Sequence, residues 1–342
     1  MFDFFTSQSS WIILLAGVAA GFVLIIFGGD FFVDSAVWLA KITHIPQMII
    51  GATVVSIGTT LPEIFVSFTA AAQGRTAMAA GNAAGSIFCN LALILGITLA
   101  FKTAAVDKRE FLPKFIIFAL SSIVLFVFAL NKKIGIVENA VLIGIFLVFM
   151  IVNVISARRK MKEYAVMGSV GQTGNSDEGV EEKKQKPAIM ILLFIVGAAG
   201  IAVGANLLID TVSAAAAKLN VSEQIISLTV VALGTSLPEL ITALTSLKKN
   251  NVEISVGNIL GANILNATLI TGGSGLIAGG LTVAASDFMP LLLSIGLAMA
   301  AAAVLIIPIL IKGRTYRAQG ITMTAIYVGY TAFMIALTLG AF

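Results

Sequence analysis

The chain has 342 residues, 58% of them apolar and only 11% charged, with a mean hydropathy of +1.04. A water-soluble domain carries about 45–50% apolar and about 25% charged residues, so an ordinary soluble fold is excluded and the solvent is lipid. The lone Cys89 excludes an internal disulfide and, with the single His44, a thiolate or imidazole metal cluster. The formal charge of +4 raises nucleic acid or anionic lipid as partners, a question settled by where the basic residues fall.

The opening MFDFFTSQSS has no Lys or Arg, so the first apolar run reads as a retained anchor, not a cleavable signal. Apolar stretches lie at 11–40, 46–73, 77–101, 112–130 and 134–157, and again at 188–217, 222–247, 252–280, 288–311 and 320–341. At about 20 residues per crossing, this predicts an all-α integral membrane protein of ten transmembrane helices in two sets of five, 1–157 and 188–342. Residues 158–187 begin ARRKMKEY and end EEKKQK and read as a flexible hydrophilic loop, too short for a domain of its own.

If the N-terminus lies outside, every Lys and Arg except Arg75, Lys132, Lys133 and Lys218 falls on the cytoplasmic side. The positive-inside bias selects this orientation, with both termini outside and the central loop cytoplasmic. It also accounts for the basic charge without nucleic acid. A prokaryotic plasma (inner) membrane is the expected setting, from the compact loop and the lack of appended domains.

The chain matches itself at a constant offset of 176 residues. TVVSIGTTLPE at 53–63 lies over TVVALGTSLPE at 229–239, GNAAGSIFCN at 81–90 over GNILGANILN at 257–266, and Asp34 over Asp210. Units with an odd number of crossings must insert with opposite orientation, which predicts an inverted repeat with a shared site near the bilayer midplane.

Within the first copy, Ser56, Thr59, Thr60 and Glu63 fall on one helical face, and their counterparts are Ala232, Thr235, Ser236 and Glu239. Pro62 and Pro238 precede the glutamates and should break each helix there, freeing backbone carbonyls near Ser56 and Ala232. An ionised carboxylate at the membrane centre costs about 2.5–3.5 kcal/mol on insertion scales, and this chain places two at equivalent positions. A proton or a cation between them would relieve the repulsion. Carboxylates, hydroxyls, amides and carbonyls make an all-oxygen site suited to calcium or sodium. Asn82, Ser86 and Asn90, with Asn258, Ala262 and Asn266, extend the set from the neighbouring helices. Of these, Ser86, Asn90 and Asn266 read as ligands, and Asn82 and Asn258 as packing amides. Gly81, Gly85, Gly257 and Gly261 have the small-xxx-small spacing of closely approaching helices. Asp30, Asp34, Asp210, Cys89 and His44 read as structural.

The paired G-T-[ST]-L-P-E and G-N-x-x-G-[SA]-x-x-x-N elements resemble the two alpha repeats of the calcium/cation antiporter superfamily, specifically its prokaryotic sodium/calcium exchanger branch. The likeness covers nearly the whole chain. It implies an ion site of the Glu63 and Glu239 carboxylates, the Thr59, Thr60, Thr235, Ser236 and Ser86 hydroxyls, the Ser56 and Ala232 carbonyls and the Asn90 and Asn266 side chains. Ala262 stands where many relatives have serine, so the resemblance implies an outer sodium site short of one hydroxyl. Asn266 stands where potassium-dependent relatives have aspartate, which implies potassium-independent exchange.

The expected function is therefore secondary active antiport of calcium against sodium by alternating access, with transported ions as substrates and no cofactor. A calcium/proton antiporter of the same fold is the alternative, with protons replacing sodium on the two glutamates. An intramembrane hydrolase is disfavoured because no H-E-x-x-H and no nucleophile–base pair is legible. A passive channel is disfavoured because a tight dianionic site in an inverted repeat favours occlusion.

Overall fold

The computed structural model describes residues 5–42, 55–103, 105–106, 108–168, 187–248 and 252–338. His44 lies outside them. The chain runs α1 (Trp11–Ile42), α2 (Val55–Thr59), α3 (Leu61–Ala72), α4 (Thr76–Phe88), a π-helical turn (Cys89–Leu95), α5 (Gly96–Phe101) and α6 (Lys108–Ala129). After β1 (Lys133–Ile134) come α7 (Ile136–Gly168), α8 (Pro187–Leu219), α9 (Glu223–Ile226), a second π turn (Ser227–Val231), α10 (Ala232–Thr235) and α11 (Leu237–Lys248). Then follow α12 (Val252–Leu265), a third π turn (Asn266–Ile270), α13 (Thr271–Ala278), β2 (Leu281–Thr282), α14 (Ala285–Lys312) and α15 (Arg317–Thr338).

Among the described residues, seven helices are long and apolar enough to cross a membrane, or eight if the bent pair Glu223–Thr235 and Leu237–Leu244 counts as one span. The protein is thus a multi-pass, predominantly helical membrane protein. Large apolar side chains such as Ile12, Val137, Met289 and Ile311 are exposed around it, which water would not tolerate over so wide an area. The span Thr76–Phe101 is the exception: 78% of its most apolar window is buried, against 22% for Ile136–Ser156, so the former is central and the latter faces lipid.

α1 and α8 pack against each other through glycines. A Cβ on Gly21 would meet the Gly204 carbonyl at 3.1 Å, and one on Gly28 the Gly197 carbonyl at 2.9 Å. The early glycine of each helix faces the late glycine of the other, so the two run antiparallel. Under the 176-residue offset Gly21 corresponds to Gly197 and Gly28 to Gly204, so each glycine meets the counterpart of the other.

Two features depart from the sequence expectation. The loop predicted from residue 158 starts as helix, since α7 continues to Gly168; Ala, Arg, Lys, Met and Glu are good helix formers and no Pro or Gly interrupts them. The connections also carry short β pairings: Lys133 and Ile134 pair antiparallel with Thr282 and Leu281, and Ala105 bridges Arg314. Backbone groups at the bundle's ends find partners this way where no helix supplies them.

Candidate functional site

The two Pro-Glu segments do break their helices, but two residues before each proline. Thr60 sits at φ −90°, ψ 0° between α2 and α3, and Ser236 at φ −84°, ψ 8° between α10 and α11. A proline is tolerated in the first turn of a helix, where its missing N–H has no partner to lose, so the chain breaks just upstream and restarts. The second break bends the path by 42°. Both glutamates then lie in the first turn of a new helix, where unpaired N–H groups and the positive end of the helix dipole favour a carboxylate.

Pro62 and Pro238 supply no amide to the carbonyls four residues upstream, those of Gly58 and Gly234, and the Ser236 N–H turns towards the second of these as well as towards Ala232. The Ala232 carbonyl accepts the Ser236 N–H at 3.1 Å and lies 3.3 Å from the Thr235 hydroxyl. Ser56 falls in α2, and its side chain is outside the described set.

The halves of the chain interlock at the glutamates. The Ser236 hydroxyl donates to Glu63 Oε1 at 2.9 Å, and the Thr60 hydroxyl donates to Glu239 Oε1 at 3.2 Å. The Thr235 hydroxyl also lies beside Glu63, and the Thr59 hydroxyl beside Glu239. The carboxylates are close enough to interact electrostatically, and both are wholly buried. Among the described residues, Glu63 Oε2 and Glu239 Oε2 have no hydrogen-bond donor.

The central helices carry further buried oxygen. Asn90 begins its fully buried course inside the first π turn and Asn266 opens the third. Such turns re-aim side chains and recur at functional sites. Among the described residues, Ser86 Oγ, Asn90 Oδ1 and Nδ2 and Asn266 Oδ1 are buried without partners, while Asn266 Nδ2 donates to the Ala262 carbonyl at 3.0 Å. Ala262 is fully buried and brings no oxygen of its own side chain. Buried acceptors without donors are rare in folded proteins, and a cation is one kind of group that would satisfy those on these two matched pairs of segments.

Asn82 does what a packing amide does: its Nδ2 donates to Ser67 Oγ at 2.9 Å and reaches the Glu63 carbonyl at 3.4 Å, and its Oδ1 lies 3.3 Å from the Thr235 hydroxyl. Ser67 was not singled out in the sequence, although it lies one turn beyond Glu63 on the same face. Its counterpart is Ala243, so Asn258 has no equivalent serine to bond. Asn263, also passed over, donates to the Ile87 carbonyl at 3.2 Å and ties the two central helices together. The glycines explain the close approach. A Cβ on Gly81 would lie 2.9 Å from the Gln224 carbonyl, and one on Gly85 would collide with the Leu228 carbonyl. At Gly257 a Cβ would meet no described residue. Asp30 and Asp34 are exposed; Asp210 lies 3.9 Å from Arg75, which also pairs with Glu223 at 2.6 Å and bonds Ser213. Among the described residues no group of three or more His, Cys, Asp or Glu gathers, so the cage is two acids among neutral oxygens.

The chain matches the family model described as sodium/calcium exchanger protein over residues 13–155 and 189–336. It is 27% identical over 356 residues to the sodium/calcium exchanger MaX1 of Methanosarcina acetivorans, covering 96% of this chain and 98% of that one. It is 32% identical over 266 residues to the inner membrane protein YrbG of Escherichia coli, covering 76% of this chain and 78% of that one. The sodium–calcium exchanger NCX_Mj, in a structure soaked with sodium and strontium, superposes with a TM-score of 0.59 at 27% identity, over 94% of this chain and 99% of that one. With both halves of the chain matched and a paired carboxylate cage between them, the protein belongs to the sodium/calcium exchanger family, in the prokaryotic branch of the calcium/cation antiporter superfamily.

Proposed function

We propose that this cation/calcium antiporter exchanges calcium for sodium, both ions competing for one cage that opens alternately to each side of the membrane. The ligands are the Glu63 and Glu239 carboxylates, the Thr59, Thr60, Thr235, Ser236 and Ser86 hydroxyls, the Asn90 and Asn266 amide oxygens and the Ser56 and Ala232 carbonyls. The observation that carries this reading is the reciprocal bonding of each carboxylate to a hydroxyl of the other half, with one oxygen of each bonded by no described residue. Hard cations take such oxygen sets, and shared ligands couple the two fluxes. The empty dianion is too costly to carry through the low-dielectric barrier, so only loaded forms cross.

The architecture we propose is ten crossings in two inverted units, 1–157 and 188–342, joined by a cytoplasmic segment at 158–187, with both termini outside. The antiparallel exchange of equivalent glycines between α1 and α8 supports it. So do the end contacts. Lys218 Nζ reaches the Ser7 and Ser9 carbonyls, Thr76 the Thr282 carbonyl and Val283 N the Lys132 carbonyl, all at connections assigned to the outside. Val106 N bonds the Gly313 carbonyl and Lys108 the Leu310 carbonyl, at connections assigned to the inside.

Purified protein in liposomes tests the coupling: a sodium gradient is imposed with pH clamped on both sides, and calcium flux is followed. Sodium-driven calcium movement is the expected result. Flux that ignores sodium and follows a pH gradient overturns the sodium assignment in favour of calcium/proton exchange.

A further inference from the structure

At the end of the bundle assigned to the inside, two connections meet in one charged surface. Residues 102–110, between α5 and α6, and 312–317, between α14 and α15, are joined by the Ala105–Arg314 bridge. The Val106 N–H also donates to the Gly313 carbonyl at 2.9 Å, and Lys108 Nζ to the Leu310 carbonyl at 2.6 Å. Together the two stretches hold Lys102, Lys108, Arg109, Lys312, Arg314 and Arg317 against Asp107 and Glu110, a net charge of +4. The pairing itself does not need that charge. At the opposite end, β1 and β2 join residues 130–138 to 278–287 in the same manner, and there Lys132 and Lys133 are matched by Glu138 and Asp287. Gathering like charges costs energy, which an anion lying over them offsets.

Lys312, Arg314 and Arg317 are exposed, and no carboxylate among the described residues pairs with them. Arg314 is fixed without being neutralised: its Nε donates to Tyr316 Oη at 2.9 Å, and its guanidinium sits 4.9 Å from the centre of the Tyr316 ring. One residue away the surface turns apolar. Phe101 and Ile311, which precede Lys102 and Lys312, are 68% and 69% exposed where their spans end. We propose that the paired α5–α6 and α14–α15 connections bind an anionic phospholipid, its phosphate over Lys312, Arg314 and Arg317 and its acyl chains along Phe101 and Ile311. Charge alone would suit any phosphate, and the apolar border selects one that carries hydrocarbon. The site stands at the ends of the spans, away from the two glutamates, so it does not depend on which ions are exchanged.

The test uses the full-length protein in a nonionic detergent, titrated with short-chain phosphatidylglycerol while the thermal unfolding midpoint is followed. The midpoint is expected to rise and saturate, because a ligand that binds only the folded state stabilises it. Phosphatidylcholine with the same chains, and glycerol phosphate with none, are expected to leave it in place. No rise with phosphatidylglycerol overturns the proposal, an equal rise with phosphatidylcholine overturns the role of charge, and an equal rise with glycerol phosphate overturns the lipid. The single exposed substitution Arg314→Gln is expected to weaken the apparent affinity for phosphatidylglycerol about fivefold, and Lys312→Gln, Arg314→Gln and Arg317→Gln together about a hundredfold. Lys132→Gln combined with Lys133→Gln, at the other end, is expected to keep the parental affinity. Parental affinity after the three inner substitutions, or after Arg314→Gln alone, overturns the site, as does an equal loss in the outer pair.

Discussion

The Ser236 hydroxyl lies 2.9 Å from Glu63 Oε1 and donates to it, joining the broken helix of one half to the carboxylate of the other. Thr60 and Glu239 repeat the contact in reverse at 3.2 Å. Each carboxylate is thus oriented by a residue 173 or 179 positions away, and neither half could build the cage alone.

Removing either charge should stop exchange. Glu63→Gln and Glu239→Gln keep the shape and lose the anion, so each is expected to insert normally and to lose calcium flux to background. Insertion is checked by yield and size-exclusion profile, flux by calcium uptake in liposomes. Parental transport in either variant would remove the site proposal.

Adding a charge should alter selectivity. Asn266→Asp adds a third carboxylate to the proposed cage, at an amide whose Oδ1 has no donor among the described residues. We expect a changed preference among monovalent ions, including a dependence on potassium. Unchanged flux with and without potassium, on both sides of the membrane, would count against this reading of residue 266.

Gly85→Ala should loosen the core. Its Cβ would run into the Leu228 backbone, whereas one on Gly144 meets nothing within 4 Å. Overpacking costs about 1–3 kcal/mol, while Gly144→Ala gains up to about 1 kcal/mol of helix propensity. Thermal unfolding in detergent should drop for the first and hold or rise for the second; equal midpoints would refute the packing role.

Arg75 joins the α3–α4 corner to Asp210 on α8 and Glu223 on α9, but all three side chains are partly exposed. Arg75→Gln is therefore expected to cost no more than about 1 kcal/mol, and less as salt rises. A larger loss, or one indifferent to ionic strength, would show that the contact is more than a screened ion pair.

Much of this molecule is legible in one dimension. The apolar stretches mark its helices because lipid demands long apolar runs, and the 176-residue self-match marks the cage because a duplicated carboxylate in a membrane needs a reason. The details that were not legible depend on local backbone chemistry. Pro62 and Pro238 signal a break, but its position at Thr60 and Ser236 follows from where a proline ring fits the first turn of the next helix. Ser67 lay on the Glu63 face, yet nothing marked it until Asn82 was found bonded to it.

From residue order alone come the lipid environment, the doubled unit and the identity of the acids, since hydropathy and repetition are properties of the chain itself. Tertiary structure decided which oxygens meet. Cross-half bonds such as Ser236 to Glu63 and Thr60 to Glu239, and the Asn90 and Asn266 oxygens that no described residue bonds, depend on the docking of segments far apart in sequence. A hydrogen bond forms over about 3 Å and within a narrow angle, and no spacing along the chain specifies that geometry until the helices have packed.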